Sequence, residues 1–489
     1  MFTNNVKTCL FNKSAALLFL LSLALNFFYL FWIEKSQYVK ANNIILFSDM
    51  AYNLCKHKTL KNCPKRAGHL LKEKFNGRDY SFSSLKNPES FGSFYKYRNI
   101  YDTVGYGVVL ASLWKITKSW NYLDIQILQI LIFSLLMFLI YKIGFLIFKN
   151  SQHAFILGMS FLMFLPLLPL NIEHSSDIWI YYSIILLFYA MAKIFYSSKQ
   201  PTLISFILLS IGITICQWCR PTTFSACIFF VCFLMFNAIF INRNKAKTIT
   251  IFISSFLLVN LFVFWIPFMA YNKAAYGQYI VGVSGSGLFV GLGEYKNKWG
   301  FKINDEFFRE YIFQKYGFNY GTIEADKKGL EEAVKLIKEE PLHYLSCVAR
   351  RVPYLLFPYS MTVRRDYFLK NKNTPTAKRL ILNCMNSFGN FCDLVKYGTF
   401  KWYGYLYLLF YFFFAYFGIY LCFKKHKYRI IIFSLGVLTS SWIFIFSHIE
   451  DRYIIPFYSV LAIFVAFSII SMKNFINNKL KQGRQDRPQ

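Results

Sequence analysis

Residues 123–148 read LDIQILQILIFSLLMFLIYKIGFLIF, a predominantly apolar run whose only charged residues are Asp124 near its start and Lys142 toward its end. It holds no Gly-Pro or Asn-Gly punctuation, and it is longer than the roughly 20 residues that a helix needs to cross a hydrocarbon core about 30 Å thick. In lipid the backbone has no outside hydrogen-bond partner, so such a run satisfies itself as a helix. Comparable runs lie at 15–33, 154–170, 178–196, 201–218, 222–241, 249–270, 404–423, 429–447 and 453–471. An outer-membrane barrel is excluded, because its strands would be roughly ten residues long and alternate in polarity. The expected fold class is an all-α polytopic membrane protein with about ten transmembrane helices.

Composition agrees. Of 489 residues, 56% are hydrophobic and 16% charged. The formal net charge of +31 could point to nucleic acid. Lys and Arg sit mostly in loops, however, where they orient helices and meet anionic lipid. The partners expected from this pattern include membrane lipid and no nucleic acid.

The loops fix a direction. Lys7 and Lys13 precede the first run, which is too long for a signal-peptide core, so it reads as an uncleaved anchor with its amino end inside. The short connections at 242–247 (NRNKAK), at 424–429 (KKHKYR) and in the tail from Lys473 are basic and fall inside. Those at 171–177 (NIEHSSD) and 448–452 (HIEDR) are polar and partly acidic, and fall outside. Two large loops also fall outside. The first, 34–104, carries 13 Lys and Arg against 6 acids up to Asp102, which the positive-inside rule tolerates in a loop beyond about 60 residues.

The membrane domain is thus 1–270 with seven spans. The second outer loop is 271–402, and residues 403–489 supply three further spans and a basic inner tail. Thr103–Thr117 is apolar but too short to span, and reads as an interfacial helix. In the second loop, Gly329–Lys338 reads as helical and Pro341 ends or restarts it. His343–Met361 is broken by Arg350, Arg351 and Pro353, and reads as a second interfacial helix. Cys216 and Cys219 form a CxxC without the further ligands that a zinc site needs. Cys55 with Cys63, and Cys384 with Cys392, lie in the outer loops, where a local disulfide or free thiols are both open.

The candidate site residues cluster on the outer side. Ser48-Asp49-Met50-Ala51-Tyr52 follows the first span. Tyr97-Arg98 and Gly105-Tyr106 bracket the start of the interfacial helix. Asp177 opens one span, Gln217 to Thr222 including Arg220 lies between two others, and Glu450-Asp451-Arg452-Tyr453 precedes the last. A carboxylate at the membrane face suits general-base activation of a hydroxyl, and nearby arginines suit a phosphate leaving group. Together they describe transfer from a lipid-phosphate donor.

The order of these motifs resembles the GT-C-type integral membrane glycosyltransferases of the protein-mannosyltransferase and aminoarabinose-transferase group. SDMAYNLCKHKTL puts Asp49 where that group has its outer-loop aspartate. YRNIYDTVGYGVVLASLW matches at Arg98, Gly105 and Tyr106, with the group's prolines replaced. CRPTT carries Arg220 and Pro221, GQYIVGVSGSGLFVGLGEY resembles the group's Gly-rich outer stretch, and EDRYIIPFYSVLAIFVAFSI opens the last span. The resemblance implies an inverting transfer of a sugar from polyprenyl phosphate to a glycan, lipid or protein acceptor. Asp49 would be the base, and Arg98, Arg220 and Arg452 would hold the phosphate. Glu173 or Asp177 would supply a second acid, with Tyr52, Tyr106, Glu450 and Tyr453 lining the substrate. It implies no cofactor and no metal. A multi-pass protein of a bacterial inner membrane, its active site facing the periplasm, is the expected location, since no retention signal is visible and the loops are compact. A polysaccharide polymerase or ligase using Arg350, Arg351, Arg364 and Arg365 is the runner-up, followed by a lipid-linked-glycan transporter or flippase.

Overall fold

The apolar runs fold as helices. The computed structural model describes residues 13–34, 104–118, 122–165, 167–172, 177–196, 203–219, 258, 260–276, 278–279, 285–295, 297–302, 305–319, 322–356, 401–439, 446 and 451–485, and among these there is no strand. Eleven helices form the bundle. These are α1 (Lys13–Glu34), α2 (Val104–Thr117), α3 (Tyr122–Phe148), α4 (Ser151–Leu162), α5 (Leu167–Ile172), α6 (Asp177–Tyr196) and α7 (Leu203–Cys219), then α13 to α16 below. A π-helical turn, Leu261–Trp265, leads into α8 (Ile266–Tyr276). A separate cluster follows: α9 (Gly285–Leu292), α10 (Asp305–Tyr316), α11 (Ile323–Glu339) and α12 (Pro341–Leu356). The chain then returns through α13 (Lys401–Lys424), α14 (Tyr428–Thr439), α15 (Asp451–Tyr458) and, after a 3₁₀ turn at Ser459–Leu461, α16 (Ala462–Gln485).

Two stretches, Leu123–Phe148 and Ile454–Leu480, are long and apolar enough to cross a membrane. The first is the quoted segment. The second has nearly all of its apolar window buried and forms the centre of the bundle. Around it the outward faces of the other helices are also apolar: Leu20 and Phe28 on α1, Leu135 and Phe145 on α3, Phe410 and Phe413 on α13. A large exposed apolar surface of this kind fits a lipid environment rather than water.

Where both core and surroundings are apolar, close approach of backbones supplies much of the packing, and glycine permits it. A Cβ on Gly418 of α13 would collide with the carbonyl oxygen of Phe464 in α16, and one on Gly158 of α4 with Leu18 of α1. Gly212 of α7 faces the Ser183 carbonyl and Leu187 of α6, so these two helices approach closely there.

Several expectations differ in detail. The expected span 154–170 is two helices, α4 and α5, because residues 163–165 leave the helix in turns. There Phe164 N–H donates to Phe161 O at 3.1 Å and Leu167 N–H to Phe164 O at 3.1 Å. The sequence has Pro166 and Pro169, which offer no N–H to an α-helical ladder. The last helix does not stop near 471 but continues to Gln485. The helix expected at Gly329–Lys338 starts earlier because Thr322 caps it, its hydroxyl accepting from Ala325 N–H at 3.2 Å. Thr103–Thr117 is helical from Val104, with Tyr106, Leu110 and Trp114 turned into the bundle core. The span expected at 222–241, both cysteine pairs, Arg364 and Arg365 lie outside the described residues.

The α9–α12 unit has its own core of Phe289, Phe301, Phe308 and Ile312 packed on Ala333 and Leu336. Two buried polar devices hold it. Asp326 on α11 accepts from the backbone N–H groups of Gly285 (3.2 Å) and Ser286 (3.0 Å) at the start of α9. Gly285 is required there, since a Cβ would strike the Asp326 carbonyl oxygen. Arg351 of α12, 1% exposed, pairs with Glu294 at 2.6 Å and donates to Gly291 O at 2.5 Å. On its other side α12 meets the bundle, where Val348 packs on the bundle core and Tyr344 Oη donates to Phe446 O at 2.8 Å.

Candidate functional site

Helix direction sorts the charges of the bundle. Glu34, Asp124, Asp177 and Asp451 all fall by position at one end. The opposite end carries Lys149, Lys193, Lys425 and Lys473 with no Asp or Glu among the described residues. The acidic end is where Tyr106, Asp177 and the start of α15 lie among the described residues.

Asp177 is the first residue of α6 and is buried. A carboxylate in this position faces the helix's unpaired N–H groups and the positive end of its dipole. One turn on, Tyr182 anchors a buried polar chain. Its hydroxyl donates toward Asn171 Oδ1 (2.6 Å) and Gln129 O (2.9 Å). Asn171 Nδ2 donates to Asn26 Oδ1 at 2.7 Å, and Asn26 Nδ2 to Ser22 O at 2.8 Å, while the Ser22 and Ser134 hydroxyls meet at 3.1 Å. All of these residues are buried. The chain ties α1, α3, α5 and α6 together.

Tyr106 of α2 is buried beside this network, within electrostatic reach of Tyr182. It is brought there by the adjoining glycine: a Cβ on Gly105 would sit 2.8 Å from the Trp218 carbonyl in α7. Trp218 and the buried Cys219 close α7, immediately before Arg220 in the sequence. α15, whose first turn carries Arg452 and Tyr453, packs against α5 and α6. Its kink is local: Pro456 interrupts the ladder, and the buried Ser459 hydroxyl donates back to the Pro456 carbonyl at 2.6 Å.

Of the sequence-derived site residues, Tyr106 and Asp177 are therefore described in full and share one end. Arg452 and Tyr453 are placed there by their helix, their side chains being outside the description. Asp49, Tyr52, Arg98, Arg220 and Glu450 lie outside the described residues.

The same end holds three buried donors with no hydrogen-bond partner among the described residues: Trp179 Nε1, Tyr181 Oη and Trp218 Nε1. An unpaired donor in an apolar interior costs on the order of 1–3 kcal/mol. These three were not singled out by sequence reasoning, nor were Asn26, Gln129, Asn171 and Tyr182. The available signal was amide side chains inside apolar runs, which are costly unless partnered.

In the α9–α12 unit, Glu332 accepts from Tyr311 (3.0 Å), Lys315 (2.9 Å) and Tyr316. Burial pushes its carboxyl up, but the three hydrogen bonds outweigh this and hold it below the usual glutamate range. Both carboxylate oxygens are engaged, which gives this carboxylate a structural role. Cys347 is buried, with its thiol 3.5 Å from His343 Nε2, and burial pushes that thiol up, away from the reactive thiolate. No group of three or more His, Cys, Asp or Glu gathers as a metal site among the described residues.

Compared with known proteins, the chain matches no family model, no curated protein and no solved structure.

Proposed function

We propose that this chain is a ten-span membrane glycosyltransferase of GT-C-like architecture that moves a sugar from a polyprenyl-phosphate donor to an acceptor on the outer side of a bacterial inner membrane. The observation that carries the reading is convergence. The elements bearing Tyr106, Asp177, Trp218-Cys219 and Arg452-Tyr453 are far apart in sequence and adjacent at the acidic end of one bundle.

In the proposed reaction Asp49 accepts the proton of the acceptor hydroxyl. The freed oxygen attacks the anomeric carbon from the face opposite the phosphate, the carbon–oxygen bond to phosphate breaks, and configuration inverts. Arg98, Arg220 and Arg452 neutralise the departing polyprenyl phosphate, as preorganised cations do at a developing anion. Trp179, Tyr181 and Trp218 supply donors for sugar or phosphate oxygens, and Tyr52, Tyr106 and Tyr453 offer aromatic surface. Glu450 and Asp177 complete the polar rim.

The polymerase-or-ligase reading relies on loop arginines meeting a lipid diphosphate. Arg351 is buried against Glu294 and Gly291, and Arg350 stacks over the Tyr295 ring at 5.1 Å, so both are already engaged. That weighs for the transferase.

The test is a comparison of lipid-linked sugars and surface glycans between cells lacking the protein and cells restored with it. Loss of one glycan, with build-up of its polyprenyl-phosphate sugar, is the expected result. An identical profile in both would remove the assignment.

A further inference from the structure

The end of the bundle opposite Asp177 is built from lysine. Lys149, closing α3, donates to Tyr196 O at the end of α6 at 2.9 Å. Lys425, in the turn between α13 and α14, donates to Ser471 Oγ of α16 at 3.1 Å. Lys473 of α16 reaches Gln152 Oε1 at the start of α4 at 3.3 Å. Three lysines, from the ends of α3 and α13 and from α16, thus lie at one end, and their hydrogen-bond partners are neutral oxygens. With no acid at this end among the described residues, the charge is uncompensated within the described bundle.

α16 adds a second feature at the same place. Beyond the buried Ile470 it runs on as an exposed helix. Met472, Phe475, Ile476 and Leu480 are all exposed and repeat at helical spacing, so they line one face. Lys479 lies over the Phe475 ring at 5.6 Å. Counted from Ile454, about 20 residues cross a hydrocarbon core, which brings α16 to the membrane surface near Lys473. The apolar stripe and its lysines then stand in the headgroup layer. A stripe of this kind beside fixed cations matches a phosphate with acyl chains attached, and a second copy of the same cationic face would repel it.

We propose that the lysine end of the bundle binds anionic phospholipid, with Lys425 and Lys473 taking the headgroup phosphate and Phe475, Ile476 and Leu480 lying against the chains. The site rests on the membrane reading and is independent of the transfer reaction at the other end.

The full-length protein in neutral detergent, titrated with phosphatidylglycerol, phosphatidylcholine or inorganic phosphate, provides the test, read by native mass spectrometry and by melting temperature. Phosphatidylglycerol is expected to be retained about tenfold over phosphatidylcholine and to raise the melting temperature, with inorganic phosphate doing neither. The double variant Lys425→Gln/Lys473→Gln should lose the preference while melting normally in phosphatidylcholine, and Ile476→Ser/Leu480→Ser should weaken retention of both lipids. Equal retention of the two lipids by the wild type, an undiminished preference in the lysine variant, or an equal response to inorganic phosphate would each overturn the proposal. A chain that does not associate with bilayers at all would overturn the membrane reading and this site with it. Loss of lipid preference alone would leave the transferase reading standing.

Discussion

Asp49 carries the chemistry in the proposed reaction, and its substitution separates chemistry from folding. Asp49→Asn keeps shape and removes the proton acceptor, so a folded protein with transfer reduced by at least about 10²-fold is expected; a reconstituted transfer assay beside a melting curve checks it. Arg452→Ala should raise the apparent KM for the lipid donor more than that for the acceptor, and equal apparent affinities for donor before and after the change would remove its phosphate role. Asp49, Arg98 and Arg452 were singled out in the sequence as charged residues outside the apolar runs; Asp49 and Arg98 lie outside the described residues, and Arg452 is placed only by its helix. The buried amides were harder to read. Asn26 and Asn171 look like single polar interruptions until the fold brings them to 2.7 Å, a distance set by tertiary packing that no local pattern encodes.

At the scale of elements, the apolar period and the caps explain most helices. Tyr122–Phe148 and Asp177–Tyr196 fall within a residue or two of their expected limits, since each is a long apolar run with clear ends. The α4–α5 break, where residues 163–165 form turns, was not foreseen because composition there remains apolar throughout. In the α9–α12 unit the buried Arg351–Glu294 pair had no signal beyond two separated charges. Arg351→Met should cost about 3–5 kcal/mol, because it strands the Glu294 charge. The double change Arg351→Met/Glu294→Gln should cost less, and thermal denaturation of the three proteins measures the difference. Glu332 gives a pH dependence with a definite sign. Its carboxyl is held below the usual range in the folded chain, so its stabilisation is present above the unfolded glutamate range and is lost as pH falls through the lower folded value. Amide exchange in α10 and α11 should therefore accelerate in acid in the wild type, and the acid dependence should flatten in Glu332→Gln.

For the whole molecule, the sequence pattern of basic and acidic short loops anticipated a polarised bundle; among the described residues Glu34, Asp124, Asp177 and Asp451 fall by position at one end and Lys149, Lys193, Lys425 and Lys473 at the other. The position of the α9–α12 unit was not readable, since it depends on a bridge through Tyr344 and Val348 of α12 to the bundle. That bridge sets the unit beside the bundle, where the proposed function needs an acceptor-side wall. Tyr344→Phe removes one hydrogen bond, to the Phe446 carbonyl, and is expected to destabilise by about 1 kcal/mol while raising the acceptor KM more than the donor KM.

The most direct test of the central claim is transfer in proteoliposomes containing the purified chain, a polyprenyl-phosphate sugar pool extracted from the host, and its outer-surface acceptors. The account expects the wild type to consume one lipid-linked sugar with inversion at its anomeric carbon, and Asp49→Asn at equal abundance to leave that sugar untouched. Consumption of the donor by Asp49→Asn at the wild-type rate, or no consumption by the folded wild type, would contradict it.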